Sequence, residues 1–429
     1  MKHLWIKSTL ALAIATTCGY AAANGLSLNE QSVSGMGTAY AGRASTAQDA
    51  TVIFGNPAGM SKLHRTEVSG GLTLISAQSK ISHGHTGTSY PVAGKNKGDM
   101  VPTAVVPFGY LVTPLNDDWH FGLGIYSPFG VISDYSKSFM GRYKALLSKV
   151  EVITVQPTLS YKINDRLAVG FGPTINRVSG VLSRNIFLGQ NVPDAKAKVT
   201  GDDTSLGYNL GVMVDLSEKT TMGLTYHSKV KYTLKGHTKI ENFRTPDLAN
   251  FKFNAKLNFT TPESVDASIT HKLDDRWTLY GGATWTRWSH LNEIAIQNKN
   301  VPSGLANRFD TITEETRWKD VWAFAVGASY QLNPQWIVRA GIASDASPTT
   351  NSRRTTRIPV SDRKILSLGA GWEVDDNLSF DFAYAYLHER KGEVNQAGDP
   401  IAPGVSSPGY FATFRNSANL FSAQMNYRF

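Results

Sequence analysis

From Thr66 to the C-terminus, short polar turns alternate with long polar loops along this chain. The turns are runs of two to four residues, such as 164–166 and 375–376, whereas loops such as 82–99 and 391–415 are several times longer. Asn and Asp dominate the turns because they tolerate left-handed backbone and bond to it locally. An outer-membrane β-barrel has this arrangement, with turns at the periplasmic end and loops outside the cell.

The segments between turns alternate in polarity as strands do. In the last segment, one set of side chains suits lipid and the other suits a wet lumen; the two sets are Phe421, Ala423, Met425, Tyr427 and Phe429, and Ser422, Gln424, Asn426 and Arg428. Fourteen such segments predict an all-β fold, a 14-stranded antiparallel transmembrane β-barrel over residues 66–429. In the loop 134–149, the helical spacing of Phe139, Tyr143 and Leu146 predicts a partly helical segment.

The N-terminus has the features of an export signal. Lys2 and Lys7 give a positive start, residues 8–17 are mostly apolar, and 21–23 are three alanines. We therefore expect a signal peptide over 1–23, with Asn24 starting the mature chain in the bacterial outer membrane. The mean hydropathy is −0.22 and no stretch resembles a spanning helix. The only cysteine, Cys18, falls in the removed segment, so disulfide and thiol chemistry are excluded from the mature protein.

Residues 24–65 alternate poorly and are rich in Gly, Ala, Ser and Thr. Barrels of about eight strands fill their interiors with side chains, whereas those of sixteen or more leave an aqueous channel. Fourteen strands would therefore leave a substantial hole. Residues 24–65 are long enough to fill it, and we predict that they form an N-terminal hatch.

Several short motifs occur in an ordered series along the mature chain. They are 25–30 (GLSLNE), 34–42 (SGMGTAYAG), Asn56-Pro57-Ala58, 285–289 (WTRWS), 339–343 (RAGIA), 347–348, 358–359 and 362–363. Together they resemble the FadL/TodX family of outer-membrane transporters for long-chain fatty acids and other hydrophobic compounds. The resemblance covers essentially the whole mature chain.

The resemblance implies a route for passive uptake of a hydrophobic ligand such as a fatty acid or an aromatic hydrocarbon. The loops capture the ligand, the lumen binds it, and a kink in the third strand releases it sideways. It also implies that Asn56, Pro57 and Ala58 join the hatch to the wall. In the third strand, expected at 119–128, the lateral opening would lie at Gly122, Gly124 and Pro128. Glycine weakens strand pairing and proline lacks a donor; alternatively, the two glycines only admit a close lumen group.

Two arginines are candidates for binding a carboxylate head group. Arg339 lies out of phase with the apolar Val338 and is expected to point into the lumen. There it would pair either with a ligand carboxylate or with a lumen acid, Asp381 or Asp345. Arg177, in the fifth strand, is a second candidate.

The sequence predicts no catalytic residues, cofactor or metal site, since no nucleophile motif is present and His83 and His85 have no obvious third ligand. No patch suggests nucleic acid. Without Lys2 and Lys7, 41 basic residues stand against 34 acidic ones. This excess would suit lipopolysaccharide phosphates or a carboxylate ligand, or simply be a solvated surface. We also expect contacts with outer-membrane lipids, insertion by barrel-assembly machinery that reads the C-terminal strand, and a monomer.

Two further functions fit a barrel: a general aqueous porin, and a loop-based binding or adhesion protein with the barrel as scaffold. The predicted hatch distinguishes them from a hydrophobic-compound channel, because a general porin has no reason to plug its own lumen.

Overall fold

A computed structural model of the chain describes residues 25–88, 92–243, 250–402 and 405–429. The predicted signal peptide, 1–23, and Asn24 lie outside the described residues. Within the described ranges, none of the helices has both the length and the apolar character needed to cross a membrane.

Fourteen antiparallel strands form a closed barrel, which confirms the predicted fold class. The strands are β1 (Glu67–His85), β2 (Ala104–Pro114), β3 (Trp119–Asp134), β4 (Leu147–Asn164), β5 (Leu167–Ile186), β6 (Ala195–Ser217), β7 (Thr220–His227 and Val230–Glu241), β8 (Phe251–Thr261 and Ser264–Lys272), β9 (Trp277–Thr286 and Glu293–Lys299), β10 (Thr311–Glu315 and Val321–Asn333), β11 (Trp336–Asp345), β12 (Arg363–Glu373), β13 (Leu378–Glu389 and Gly392–Gln396) and β14 (Tyr410–Arg428). Each strand pairs with its neighbours in sequence, and β1 pairs with β14 to close the ring.

The remaining elements of the described ranges are short. They are helices α1 (Val33–Gly37), α2 (Val52–Gly55) and α3 (Ser303–Phe309), 3₁₀ helices at Pro57–Lys62 and Trp288–His290, and a small hairpin of Pro400–Ala402 with Val405–Ser406. α1, α2 and the first 3₁₀ helix precede the barrel, α3 lies between β9 and β10, and the second 3₁₀ helix interrupts β9.

The polar turns close the strands at one end as their composition predicts. The Asn116 side chain accepts hydrogen bonds from the backbone N–H groups of Asp118 and Trp119, and Asn333 and Asp375 do the same for the residues two and three places after them. These bonds satisfy backbone groups that the ladder leaves free at the turn.

The predicted helix in the loop 134–149 is wrong. β3 continues to Asp134, β4 begins at Leu147, and the residues between them form turns. The apolar side chains serve packing between loops: the Tyr135 ring stacks on Phe139 at 4.0 Å, and Phe139 packs edge-on against Tyr410. Gly141 lies so close to these rings that a side chain there would meet both Phe139 and Tyr410.

The outer and inner faces of the barrel differ as the alternation predicts. On β14, the side chains of Phe421, Met425 and Tyr427 are exposed on the outer face, as is Phe429 directly after the strand, and Ser422, Gln424 and Asn426 are buried on the inner face. A band of exposed apolar residues continues around the outside, including Leu206, Leu210, Phe171, Trp322, Phe324, Leu366 and Leu368. In water this band would be costly, but in a bilayer it is the surface that faces lipid.

Residues 25–63 pack inside the barrel, and we call them the hatch. α1 contacts the inner faces of β12 and β13, and the 3₁₀ helix Pro57–Lys62 contacts β4, β5 and β6. Hatch and wall share one buried apolar cluster, whose hatch members are Leu28, Val33, Met36, Ala50, Val52, Ile53, Met60 and Leu63 and whose β2 members are Ala104, Val106, Phe108, Tyr110 and Val112. Burial of this apolar surface holds the hatch in the lumen.

Candidate functional site: the hatch, the lumen cavities and a gap in the wall

Asn56, Pro57 and Ala58 lie directly against the barrel wall. The Asn56 side-chain amide donates to the backbone oxygens of Val212 on β6, at 2.9 Å, and of Ala44 in the hatch, at 2.6 Å. Its side-chain oxygen accepts from the N–H of Ala58, at 3.0 Å, and so caps the 3₁₀ helix. One buried amide therefore joins three pieces of backbone.

Two inward glycines make this approach possible, and sequence reasoning missed both. A Cβ on Gly170 of β5 would lie 2.4 Å from the carbonyl carbon of Pro57, and one on Gly211 of β6 would lie 2.1 Å from the Asn56 side-chain oxygen. Glycine inside a strand often marks a close approach of backbone. The two glycines are visible in the sequence, but the sequence does not show that the hatch is the segment that approaches them.

Arg339 of β11 points into the lumen, where a wall acid already binds it. Its guanidinium lies 2.7 Å from a carboxylate oxygen of Asp381 on β13 and donates to Gln48 of the hatch at 3.1 Å. Asp345, the other candidate acid, is paired with Arg363 instead. A ligand carboxylate would have to displace Asp381 to reach Arg339.

Replacing Arg339 by glutamine is expected to lower the free energy of unfolding by about 3–5 kcal/mol, because the buried Asp381 carboxylate loses its counter-charge. The side chains of both residues are less than 10% exposed, so solvent screens the pair little. Urea unfolding in detergent micelles measures the change, and the double variant Arg339→Met, Asp381→Leu is the control that removes both charges. A stable Arg339→Gln protein with lost ligand affinity would instead support the head-group role.

The prediction that Arg177 faces the lumen is wrong. Along β5 the even-numbered Asn176 and Val178 point inward, and Arg177 shares the outer face with Ile175. Its side chain is 64% exposed and pairs with Asp202 of β6 at 3.1 Å. Arg177 follows Ile175, the last exposed large apolar residue on this face, so it lies just above the lipid-facing band.

The wall is incomplete between β2 and β3. The two strands pair only from Pro114↔His120 to Gly109↔Ile125, although β2 continues to Ala104 and pairs there with β1. Beyond Ile125, β3 carries a β-bulge. Tyr126 pairs with Thr154 and Phe129 pairs with Val152, so β3 has one residue more than β4 between these two pairs. We call the space between residues 104–108 of β2 and 126–133 of β3 the lateral gap.

The start of the hatch takes the place of β2 beside the bulged part of β3. The N–H of Leu28 donates to the Pro128 oxygen at 2.9 Å, and the N–H of Gly130 donates to the Leu26 oxygen at 2.8 Å. Phe129 also packs edge-on against Trp288 of the far wall, so this part of β3 is directed inward. The hatch therefore completes a hydrogen-bond ladder that the wall leaves open.

Gly122 and Gly124 do not form the gap, and the prediction is corrected on this point. Both are paired with β2 and β4. Their role is the alternative one: they allow hatch side chains to approach the wall closely. A Cβ on Gly122 would lie 2.5 Å from the sulfur of Met60, and one on Gly124 would lie 3.2 Å from Ile53. Pro128 does lie in the bulge, at the edge of the gap.

Two cavities lie above the hatch and meet at Val131 and Ile358. The lining of the apolar cavity includes Leu26, Val150, Leu234, Phe259 and Ile294. The lining of the mixed cavity includes Met100, Val101, Ile132, Leu387 and Leu420. The mixed cavity reaches the lateral gap through Val101 and Ile132.

The apolar cavity has few polar side chains in its lining, whereas the mixed cavity has several, including Glu30 and Glu389. Arg357 borders both, but it is paired with Glu314 at 2.7 Å. Glu30 of the hatch borders the mixed cavity, and one of its carboxylate oxygens has no hydrogen-bond partner among the described residues. Burial raises the pKa of Glu30, against the opposing effect of Arg363. The described ranges contain no group of three His, Cys, Asp or Glu residues placed to hold a metal.

The sequence matches a protein family described as outer membrane protein transport protein (OMPP1/FadL/TodX) over residues 14–429. The chain belongs to this family. The predicted resemblance is therefore confirmed, and this OMPP1/FadL/TodX member is a protein of the bacterial outer membrane. The family consists of transport proteins rather than enzymes.

Individual relatives resemble the chain over almost its whole length. It is 27% identical to a long-chain fatty acid transport protein of Escherichia coli O6:H1, covering 100% of this chain and 99% of the relative. A Pseudomonas aeruginosa FadL homologue of known crystal structure superposes with a TM-score of 0.84 at 26% identity, covering 94% and 100% of the two chains. The Pseudomonas putida toluene transporter TodX shares the fold, with a TM-score of 0.63 at 16% identity over 96% and 98%.

Proposed function

We propose that this OMPP1/FadL/TodX protein is a channel for passive uptake of long-chain fatty acids or other small hydrophobic compounds. The observation that carries the proposal is an apolar cavity that connects, through a second cavity, to a gap in the barrel wall. A general porin would need a wet lumen open from end to end, and here the hatch occupies it.

The apolar cavity is suited to an alkyl or aryl group. Its lining is almost entirely hydrocarbon, and each CH₂ that leaves water gains about 0.8 kcal/mol. Arg357 borders this cavity, and a carboxylate head group would have to share its guanidinium with Glu314. The E. coli relative is named a fatty acid transporter and TodX a toluene transporter, so both kinds of ligand are candidates here.

Release is proposed to be lateral, through the gap between β2 and β3. Leu26 lines the apolar cavity, and its oxygen also accepts the Gly130 N–H that holds the bulged part of β3. A ligand pressing on Leu26 would compete with that bond and free this part of β3. The ligand would then pass through the mixed cavity into the outer leaflet without crossing water.

Filling the apolar cavity tests the proposal. Gly180 lines it, and a Cβ there has its nearest neighbour, the Leu234 side chain, at 3.5 Å, so a larger residue fits without strain. Gly180→Leu is expected to lower affinity for oleate or toluene about tenfold, because its side chain takes the space of the ligand. The measurement is retention of labelled ligand by the protein in detergent, together with uptake by cells.

The matched control is Gly281→Leu on the outer face of β9, where the nearest neighbour of a Cβ is 3.7 Å away. It adds the same side chain towards lipid and is expected to leave binding unchanged. Equal binding by both variants would remove the cavity from the route and favour capture at the loops, the binding-protein alternative.

We also propose that the protein acts as a monomer, inserted by assembly machinery that reads the exposed Phe429.

A further inference from the structure

Five lysines lie together on the outer wall of the barrel, above the lipid-facing band. We call them the lysine patch: Lys198 on β6, Lys235 and Lys239 on β7, and Lys252 and Lys256 on β8. The neighbouring residues Ala197, Thr238, Ile240 and Phe253 are buried. Strand alternation therefore points the lysines outward.

The strand register places these charges side by side. Lys198 lies opposite Lys239, and Lys239 lies opposite Lys252, so three ammonium groups form one row across three strands. Lys235 and Lys256 form a second row. Residues directly opposite in a sheet have Cβ atoms about 5 Å apart, and like charges there destabilise it.

Acidic neighbours do not relieve the repulsion. Over the ranges that the structure describes, no carboxylate lies within ion-pair distance of the five lysines. Asp202 is opposite Lys235 in register, but it pairs with Arg177. An external anion would neutralise such rows better than water does.

The height of the patch indicates which anion. Leu206, 73% exposed, is the uppermost large apolar residue on the outer face of β6. The lower lysine row lies about 13 Å and the upper row about 26 Å further along the strands, which tilt by about 40° in such barrels. Both rows therefore lie beside the polar layer above the acyl chains. In the outer leaflet that layer is phosphorylated saccharide.

We propose that the lysine patch binds the phosphate groups of lipopolysaccharide and so holds a lipopolysaccharide molecule against the β6–β8 wall. The two rows, about 13 Å apart along the strands, are placed to take two separate phosphates. This surface is distinct from the lumen route proposed above, and it acts from outside the barrel.

The test is lipopolysaccharide binding by the full-length protein purified in detergent, measured with the triple variant Lys198→Gln, Lys239→Gln, Lys252→Gln. We expect affinity to fall about tenfold and its dependence on salt to weaken. Lipopolysaccharide stripped of phosphate should bind weakly to parent and variant alike. The control, Arg166→Gln, Lys219→Gln, Lys272→Gln, removes the same charge at the periplasmic end and should bind as the parent does.

Three results would overturn the proposal. They are unchanged affinity in the patch variant, an equal loss in the control variant, and undiminished binding of phosphate-free lipopolysaccharide. Oleate binding is measured on the same samples. A variant that lost oleate but kept lipopolysaccharide would show instead that the patch captures ligand carboxylates.

Discussion

Deleting residues 25–63 is expected to turn the barrel into an open pore with a conductance many times that of the intact protein. Every strand pairs with both of its neighbours, β2 with β3 over residues 109–114, so the ring stays closed without the hatch even though the lateral gap remains. Removal of the hatch would leave a lumen lined by polar side chains such as Ser160, Gln424 and Asn426, which water would fill. Single-channel current in planar bilayers is the measurement.

The deletion must spare Arg65, which stabilises the junction of β1 and β14, where the barrel closes. Its guanidinium donates to the backbone oxygens of Phe429 at 3.0 Å and of Asp376 at 2.9 Å. A subtler variant, Gly211→Val, should give a partial leak because its side chain would occupy the position of the Asn56 amide. If the deleted protein inserts at normal levels yet conducts no more than the parent, the hatch is not the barrier.

Deleting Pro128 alone is expected to abolish uptake of a labelled fatty acid while leaving the protein inserted and able to bind ligand. β3 has one residue too many between Tyr126 and Phe129 relative to β4, and removing one restores matched register. The straightened strand could then pair with residues 104–108 of β2 and close the lateral gap. Uptake by cells with matched surface levels measures the effect.

Pro128→Ala is the control, because it keeps the extra residue and so keeps the bulge. It should transport at close to the parental rate. Undiminished uptake by the deletion variant would disprove lateral release and leave a vertical route past the hatch. Loss of uptake in both variants would show that proline, rather than the extra residue, sets the geometry.

The barrel could be predicted from sequence because its signals are local and repeated. Alternation of polarity along β14 and the Asn and Asp turns each need only a few neighbouring residues to be recognised. The Arg339–Asp381 pair is among the alternatives that the sequence leaves open, because strand phase alone points both side chains inward. These features depend on the two-residue period of a strand, which is visible in the sequence itself.

The position of the gap could not be predicted in the same way. Gly122 and Gly124 are residues that weaken strand pairing. A bulge, however, is an extra residue on one strand relative to its partner, which here is β4. Nothing in residues 122–128 alone reveals that extra residue. The prediction for Arg177 is wrong for a related reason. Near the extracellular end of a long strand, the outer face extends beyond the lipid-facing band, so a charged residue there can point outward as well as into the lumen.

The hatch contacts have a consequence for the order in which the molecule assembles. The N–H of Val33 donates to the side chain of Gln424 at 2.9 Å, across a sequence separation of 391 residues. Contacts of such long range form late, because the intervening chain must be ordered first. We therefore expect the segment from Gly25 to Val33 to dock only after the last strand is in place. Its apolar residues Leu26, Leu28 and Val33 stay unburied until then, so we expect this segment to need a holding chaperone in the periplasm to keep it from aggregating.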